Sequence, residues 1–389
     1  MKSTFKGSYF SYILIFFFFF FCMAAFSAVL SVYLTGQGIS VVHMSRIISA
    51  GSLFAFVISP ITGYICDRTG KPRQVNMVMM LLVGILSILF AKTKNVYLLF
   101  ILNGLIMSFI HATQPSCERL AGASKYRYGI LRVWGTVGYA CGAQLAGLAL
   151  EKLPSMALFV SVLIAAVLCA VGLAGANDPL MPEKTSEAEK SEGKSRLSSF
   201  LTNRYYLMFV LITVLFWGCS GANMTYVPVL LTSLGVPASS VGTVIFFSTL
   251  VEIPLILFSN RFMDKFNGKT LILFACALTL TEFLVFGLVN SSVAVMAVVI
   301  GIKAIATTTY VMIQLKIVRN LVPADLTTTA LALIGTGNSI GTILMQNLGG
   351  IVTETYSVQS FYLIMAGLIV LTMVICLFFK VSNEQKVFG

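Results

Sequence analysis

Five ionisable side chains lie in otherwise apolar stretches of the chain: Glu118, Arg132, Glu252, Glu282 and Lys303. An ionisable group in the middle of a bilayer costs about 3 kcal/mol or more, so it usually pairs with another charge or lines a water-filled path. A carboxylate without a fixed partner suits reversible protonation. An arginine fork suits a carboxylate or paired hydroxyls. Together these residue types are suited to binding a polar solute and exchanging a proton.

Transmembrane helices must position these groups. The 389 residues are 58% hydrophobic and 10% charged, with a mean hydropathy of +0.93, whereas a soluble domain has about 25% charged residues. This composition excludes a soluble enzyme, a secreted disulfide scaffold and a nucleic-acid binder. A span needs about 20 apolar residues, and we predict twelve: residues 9–33, 44–65, 74–91, 96–117, 129–150, 155–176, 205–231, 239–259, 271–289, 293–314, 328–349 and 360–379.

The basic residues predict the orientation of these spans. Lys and Arg accumulate in short cytoplasmic loops. If the N-terminus is cytoplasmic, most of the basic residues fall on the cytoplasmic side of the membrane. The exceptions among the 26 basic residues are Lys92, Lys94 and Lys152 outside, and Arg46, Arg132 and Lys303 within spans. We therefore predict a multi-pass protein of the cell inner (plasma) membrane with both termini in the cytoplasm. The net charge of +12 then reflects topology and needs no polyanionic partner such as nucleic acid.

The two halves of the chain resemble each other. A shift of 197 residues places Leu34 on Leu231, Gly38 on Gly235 and Asp67 on Asp264. Small-residue pairs recur as well, and in lipid they allow helices to approach closely; they are Gly138/Gly142 and Gly337/Gly341. We predict two six-helix bundles, residues 1–177 and 205–389, joined by a polar cytoplasmic linker at 178–204. Parallel repeats of this kind place a binding site at their interface.

Two loops carry a recognisable motif. Residues 63–73 read GYICDRTGKPR, and residues 260–269 read NRFMDKFNGK. They resemble the signature loops of the major facilitator superfamily, in which the loop latches the inward gate. The resemblance implies gating roles for Gly63, Asp67, Arg68, Gly70, Asp264 and Lys265. Anchoring by basic residues is the alternative, but it does not explain an aspartate in both halves.

A narrower resemblance involves the stretches YGILRVWGTVGYACG at 128–142 and VRNLVPADLTTTALAL at 318–333. Both resemble the branch that holds lactose permease and the phenylpropionate permeases, which are proton-coupled uptake symporters. The resemblance implies the major facilitator fold and a substrate contact at Arg132, beside an acidic position that is Gln114 here. The ionisable residues that lactose permease carries on spans 9 and 10 fall on other residue types: Glu282, Ala306 and Thr309. We therefore do not transfer its mechanism as a whole.

Helical spacing groups the polar residues on two faces, which we expect to line water or substrate. Span 4 carries Asn103, His111, Gln114 and Glu118, and span 10 carries Lys303, Thr307, Tyr310 and Gln314. The predicted substrate contacts are Arg132, Gln114, Glu118, Asn223, Trp217 and Tyr310. We predict Glu252 as the proton site with Lys303 as its partner, and Glu282 as a weaker candidate. Fixed ion pairs, Glu118 with Arg132 and Glu252 with Lys303, are the alternatives. The phenylalanine run at 16–21 is expected to face lipid.

These features predict a secondary active transporter and not an enzyme. We expect a proton-coupled symporter that imports a small polar organic solute, namely a sugar, a nucleoside or an aromatic acid. A proton-driven antiporter that exports drugs or metabolites is the alternative, although span 5 lacks the Gly-Pro motif of such antiporters. The eight cysteines are scattered, so we expect no metal site and no cofactor besides the proton. The expected partners are the lipid bilayer and the solute, with the carrier acting as a monomer.

Overall fold

The computed structural model describes residues 5–122, 124–177, 203–262, 265–322 and 327–379. All regular secondary structure in this part of the chain is helical. Most of the predicted linker, residues 178–202, lies outside the described residues. An all-α membrane fold is therefore the architecture that the apolar stretches build.

The first half contains seven helices among its described residues. Ser8 begins the first of them, because its hydroxyl accepts a hydrogen bond from the Ser11 amide at 3.2 Å, as a helix N-cap does. Pro72 lies in the first turn of the fourth, where its missing N–H costs nothing. The helices are α1 (Tyr9–Ser27), α2 (Leu30–Gly36), α3 (Val41–Thr69), α4 (Pro72–Lys92), α5 (Val96–Gly122), α6 (Tyr128–Lys152) and α7 (Met156–Gly175).

The second half of the chain also consists mainly of long helices, one of which contains an irregular turn. A π-helical turn, Val299–Lys303, joins two helical segments of the predicted span 10. The described helices of this half are α8 (Arg204–Ser233), α9 (Ala238–Phe262), α10 (Gly268–Leu288), α11 (Ser292–Val298), α12 (Ala304–Leu321), α13 (Thr327–Thr355) and α14 (Val358–Phe378).

Ten helical segments in the described part of the chain are long and apolar enough to cross a membrane. One of them combines α1 and α2, and another runs from α11 through α12. The two remaining predicted spans coincide with α6 and α13. Both are long continuous helices whose sequences contain many glycines and small polar residues. Ten spans are thus supported, while the count of twelve and the cytoplasmic position of both termini stay predictions.

The internal repeat is visible in the backbone. Gly38 and Gly235 have φ angles of 81° and 80°, which a residue with a Cβ adopts only with strain. In the first turn the Ile39 amide donates to the Leu34 carbonyl at 3.2 Å, and in the second the Val236 amide donates to the Leu231 carbonyl at 3.0 Å. This 6→1 hydrogen bond is the Schellman end of a helix. The two positions that the 197-residue shift aligns therefore end their helices in the same way.

Close contacts divide the chain into two compact units. We call them unit one, which comprises Met1–Met181, Met224–Leu250 and Gln346–Val358, and unit two, which comprises Pro182–Asn223, Val251–Met345 and Gln359–Gly389. Three long helices, α8, α9 and α13, contribute one part to each unit. The predicted pair of six-helix bundles with a linker between them stays a prediction.

Small residues let helices touch backbone to backbone inside each unit. In unit one, α6 packs on α1: a Cβ on Gly142 would lie 2.5 Å from the carbonyl oxygen of Phe21, and one on Gly138 would collide with that of Phe17. In unit two, a Cβ on Gly341 would lie 2.6 Å from the carbonyl oxygen of Val214. The G-x-x-x-G pairs therefore act in packing, as their spacing predicts.

We expect Gly138→Ala to destabilise the protein by about 1–3 kcal/mol, because the added methyl group overpacks the contact of α6 with α1. Gly129→Ala is the matched control in the same helix, since no atom lies within 4 Å of its Cβ position. That control should be neutral or slightly stabilising, because alanine favours helix by about 1 kcal/mol.

Thermal unfolding of the Gly138→Ala and Gly129→Ala variants in detergent, followed with a thiol-reactive fluorophore, measures the difference. This readout works because every cysteine except Cys141 is buried in the folded chain. Equal melting temperatures for the two variants would contradict the prediction.

Candidate functional site

Unit two holds a buried chain of hydrogen-bonded side chains. Glu282 of α10 is 1% exposed and Asn223 of α8 is 2% exposed. The Asn223 amide donates to the Glu282 carboxylate at 2.7 Å, and the Tyr362 hydroxyl of α14 donates to the Asn223 amide oxygen at 3.0 Å. A satisfied buried network of this kind fixes side-chain orientation. Asn223, a predicted substrate contact, thus holds the Glu282 carboxylate in this conformation.

Lys303 is the last residue of the π-helical turn and is 7% exposed. Such turns insert an extra residue into a helix and are frequent at functional sites. The Lys303 ammonium interacts electrostatically with the carboxylates of both Glu282 and Glu252. Glu252 lies in α9 and is half-buried. The three ionisable residues of the predicted coupling group therefore interact electrostatically, with one base acting on two acids.

Unit two also holds a cluster of aromatic and amide side chains. Trp217 donates its ring N–H to Gln314 at 3.2 Å. Tyr310 is fully buried, stacks on Phe216 with ring centres 3.7 Å apart, and donates its hydroxyl to Thr213 at 3.3 Å. Its ring and hydroxyl are both engaged, so in this conformation Tyr310 supports its neighbours. The half-buried Trp217–Gln314 pair is the more accessible of the predicted contacts here.

Unit one holds a second polar cluster. Gln114 donates its amide to the Glu118 carboxylate at 3.3 Å, and the Arg132 guanidinium lies 4.3 Å from the ring centre of Phe20. Tyr128 hydrogen-bonds with Arg132 and interacts electrostatically with Glu118. Gln114, Glu118 and Arg132 are all half-buried. The phenol of Tyr128 thus interacts with both charged residues, and this tyrosine was not among the site residues predicted from the sequence.

Two expectations for unit one are wrong. Asn103 is fully buried and donates its amide to backbone carbonyls of α3, at 2.6 Å from that of Ile47, so it joins helices and does not line water. The phenylalanine run does not simply face lipid, because Phe16, Phe19 and Phe20 are buried. Phe20 instead forms a cation–π contact beneath Arg132.

The first signature loop begins as its glycine predicts. Gly70 has a φ of 65° and ends α3, its amide donating to the Cys66 carbonyl at 3.0 Å. The exposed Arg68 lies 3.5 Å from the Tyr64 hydroxyl, which it reaches one turn back along the helix. This geometry is a tight helix end with a basic side chain on its surface.

The other predicted gating residues are described less completely. Gly63 and Lys265 are exposed. The side chain of Asp67 and all of Asp264 lie outside the described residues. The gating role of these loops therefore stays a prediction.

A basic residue of each loop has a contact that the motif did not reveal. Arg73 donates to the Ala176 carbonyl at 3.0 Å, at the end of α7, and Lys269 donates to the Leu377 carbonyl near the end of α14. Cations stabilise the last carbonyls of a helix, where the macrodipole is negative. In each unit, then, the loop base joins the beginning of one helix to the end of another. The recurrence of a base in both motifs was the signal for it.

Long apolar helices with ionisable side chains among them are typical of a multi-pass membrane protein. The chain matches the MFS_1 like family over residues 9–364 and belongs to it. It is therefore a major facilitator superfamily transporter, a permease for small solutes and not an enzyme. In the described residues no cluster of His, Cys, Asp and Glu has metal-binding geometry.

Proteins similar to this chain include two sugar carriers and a nucleoside transporter. Maltose permease of Geobacillus stearothermophilus is 24% identical over 364 residues, covering 90% of this chain and 88% of that protein. Sugar efflux transporter A of Dickeya chrysanthemi is 22% identical over 328 residues, covering 81% of each. The crystal structure of the nucleoside transporter NupG superposes with a TM-score of 0.81 at 16% identity, covering 95% of this chain and 98% of that one. The last likeness supports the fold; the narrower lactose permease branch stays a prediction.

Proposed function

We propose that this transporter is a proton-coupled symporter of the plasma membrane that imports a small polar organic solute by alternating access. Sugars are the first substrate class to test, because maltose permease is similar over most of both chains. Nucleosides and aromatic acids follow, since the Arg132 fork fits all three. The observation that supports the coupling is the electrostatic interaction of the Lys303 ammonium with two carboxylates, those of Glu282 and Glu252.

The charge balance of this group favours an exchangeable proton. One ammonium balances the charge of one carboxylate, so the group formed by Glu252, Glu282 and Lys303 carries a net negative charge when both acids are ionised. Such a charge is strongly unfavourable away from water. Binding one proton removes it. The group therefore alternates between a protonated, neutral form and a deprotonated, charged form.

The two carboxylates have different surroundings, which gives them different roles. Glu252 is half-buried and accepts the proton in our proposal, while Glu282 is held by Asn223 at 2.7 Å. Protonation of Glu252 leaves Lys303 to pair with Glu282 and favours the outward-open state that binds solute. Release of proton and solute inside resets the carrier. A bound proton shifts the equilibrium only by its differential affinity for the two states.

Proteoliposomes with an imposed pH gradient test this proposal. Radiolabelled maltose and uridine are the probes, each supplied outside vesicles whose interior is alkaline. We expect accumulation that collapses when a protonophore removes the gradient. Uptake that is the same with and without the gradient would refute proton coupling.

Export by proton antiport is the second candidate, favoured by the similarity to sugar efflux transporter A. The same vesicles distinguish it from import. An acidic vesicle interior would then drive uptake, because the outgoing proton exchanges for the incoming solute. Uptake with an alkaline interior would exclude it.

Replacement of Arg132 should weaken solute binding by about tenfold or more, because a hydrogen bond to a charged group contributes about 1.5–3 kcal/mol. The measurement is a thermal-shift screen of the purified carrier against sugars, nucleosides and aromatic carboxylates, with titration of any hit. Arg132→Lys is the matched control; it keeps the charge, loses the fork and should be intermediate. A hit with the same affinity in Arg132→Ala would remove Arg132 from the site.

A further inference from the structure

Two glutamates of unit one bind the beginnings of other helices. Glu151, in the last turn of α6, accepts a hydrogen bond from the Ser239 amide of α9 at 2.9 Å. Glu354, in the last turn of α13, accepts one from the Val42 amide of α3 at 2.8 Å. In each case a carboxylate at the end of one helix caps the first turn of another.

Both bonds have a clear physical basis. The first amides of a helix lack intrahelical acceptors, and the positive end of the macrodipole attracts an anion. The side-chain and backbone hydrogen bonds from Ser239 lower the pKa of Glu151, which lies beyond the predicted span 129–150, below its ordinary value. Both carboxylates are exposed, and water competes for them. Each bond is thus favourable, yet weak enough to break in a conformational cycle.

A glycine one turn before each glutamate brings the helices together. A Cβ on Gly147 would lie 2.5 Å from the Ala238 carbonyl oxygen and 3.0 Å from the Gly242 Cα. A Cβ on Gly350 would collide with the Ser45 hydroxyl and lie 3.2 Å from the Val42 Cα. The pattern G-x-x-x-E occurs at both places, as GLALE at 147–151 and GIVTE at 350–354.

The two contacts are related by the internal repeat. The same 197-residue shift that aligns Gly38 with Gly235 places Val42 on Ser239, so the two capped amides occupy equivalent positions. Each glutamate caps the helix that follows one of the two Schellman turns. Glu151 follows the fifth predicted span and Glu354 follows the eleventh, which is the fifth of the second half. Both halves of the repeat therefore build the same device.

Buried polar contacts continue below one of these caps. Asn347 donates to the Ser49 hydroxyl at 3.1 Å, and the fully buried Tyr226 donates its hydroxyl to the Gln346 carbonyl at 2.8 Å. Gln346 in turn donates to the Thr225 hydroxyl at 3.0 Å. These buried contacts, which we call the seal, lie below Glu354, at the end of unit one that the basic residues predict to be the outer end.

We propose that Glu151 and Glu354 are paired latches that hold the outer end of the carrier closed, and that both must release for the outward-open state. This inference rests on the proposed alternating access. It adds the residues that set the balance between the two states. Because the latches are at separate helix pairs, their contributions should be independent.

Alkylation of a buried cysteine measures the opening of this end. Ser49→Cys places a thiol under the seal, where the native side chain is 5% exposed, and Cys141→Ser removes the one cysteine that is not buried. A membrane-impermeant maleimide then reacts at a rate proportional to the open population. Loss of a helix cap shifts such an equilibrium by about fivefold. We expect about fivefold faster alkylation in Glu151→Ala and Glu354→Ala, and about 25-fold in the double variant.

Two further sets of variants make the test sharp. Glu151→Gln and Glu354→Gln keep an acceptor oxygen and the fold, so their acceleration should be smaller than that of the alanine variants. Lys94→Ala, at an exposed residue that the sequence also places outside, should leave the rate unchanged. An unchanged rate in the double alanine variant, or equal acceleration by Lys94→Ala, would overturn the latches.

The alkylation rate requires no solute and no pH gradient. Normal proton-driven uptake together with unchanged alkylation would therefore refute the latches alone. Faster alkylation in a carrier that shows no proton-driven uptake would refute the proposed symport alone.

Discussion

Glu252→Gln and Glu282→Gln should each abolish accumulation of solute against its gradient while leaving solute exchange across the membrane. Glu252→Gln removes the group that exchanges the proton. Glu282→Gln leaves Glu252 to balance the charge of Lys303, which keeps Glu252 ionised. In either variant the pH gradient no longer drives the carrier. Each pH unit corresponds to 1.36 kcal/mol, or about tenfold in concentration. With one proton per solute, a gradient of two units supports about 100-fold accumulation in the parent, and the ratio should fall to about one in the variants.

The assay is uptake into proteoliposomes, paired with counterflow at equal pH on both sides. Thr281→Val is the matched control, because Thr281 is adjacent to Glu282 on α10 but exposed, with its hydroxyl bonded to the Ala277 carbonyl. It should accumulate solute as the parent does. Normal accumulation in Glu252→Gln would remove Glu252 as the proton site. Normal accumulation in both glutamine variants would refute the coupling proposal.

Lys303→Met should destabilise the protein by about 3–5 kcal/mol, the usual cost of removing one partner from a buried charge pair. The methionine fits the volume of the lysine stem but leaves Glu282, 1% exposed, without a cation. Glu282→Gln in the same chain removes the stranded charge and keeps the hydrogen bond from Asn223. The double variant should therefore recover most of the lost stability.

Thermal or denaturant unfolding of the parent, both single variants and the double variant gives a double-mutant cycle. We expect a coupling energy of about 3 kcal/mol between Lys303 and Glu282, with Glu282→Gln alone close to the parent because one of two neighbouring acids is neutralised. A double variant as unstable as Lys303→Met would show that the two side chains do not stabilise each other.

The ionisable residues of the candidate site could be identified from the sequence, because the reasons are local. A charge in an apolar stretch is unfavourable in any packing arrangement, so Glu252, Glu282 and Lys303 stood out without knowledge of their neighbours. The internal repeat aligned Gly38 with Gly235, and both have a positive φ angle, 81° and 80°, which glycine adopts without strain.

Partners were harder to predict, because they depend on how each helix is rotated and how closely it approaches its neighbours. Helical spacing places Asn103 on a polar face, yet its amide donates a hydrogen bond to the Ile47 carbonyl of α3 at 2.6 Å. Phe20 was grouped with lipid-facing residues, yet it lies beneath Arg132 at 4.3 Å. Helical periodicity defines a face but not what covers that face.

The apolar spans, the family and the ionisable residues within the spans follow from the sequence alone, since lipid imposes the same cost on every charge regardless of packing. Only the tertiary structure decided which groups meet. Asn223, Glu282 and Tyr362 belong to three helices far apart in the chain, and the caps on Val42 and Ser239 join residues separated by whole helices. Such contacts arise from close helix packing, which sums many small interactions that no single residue type reveals.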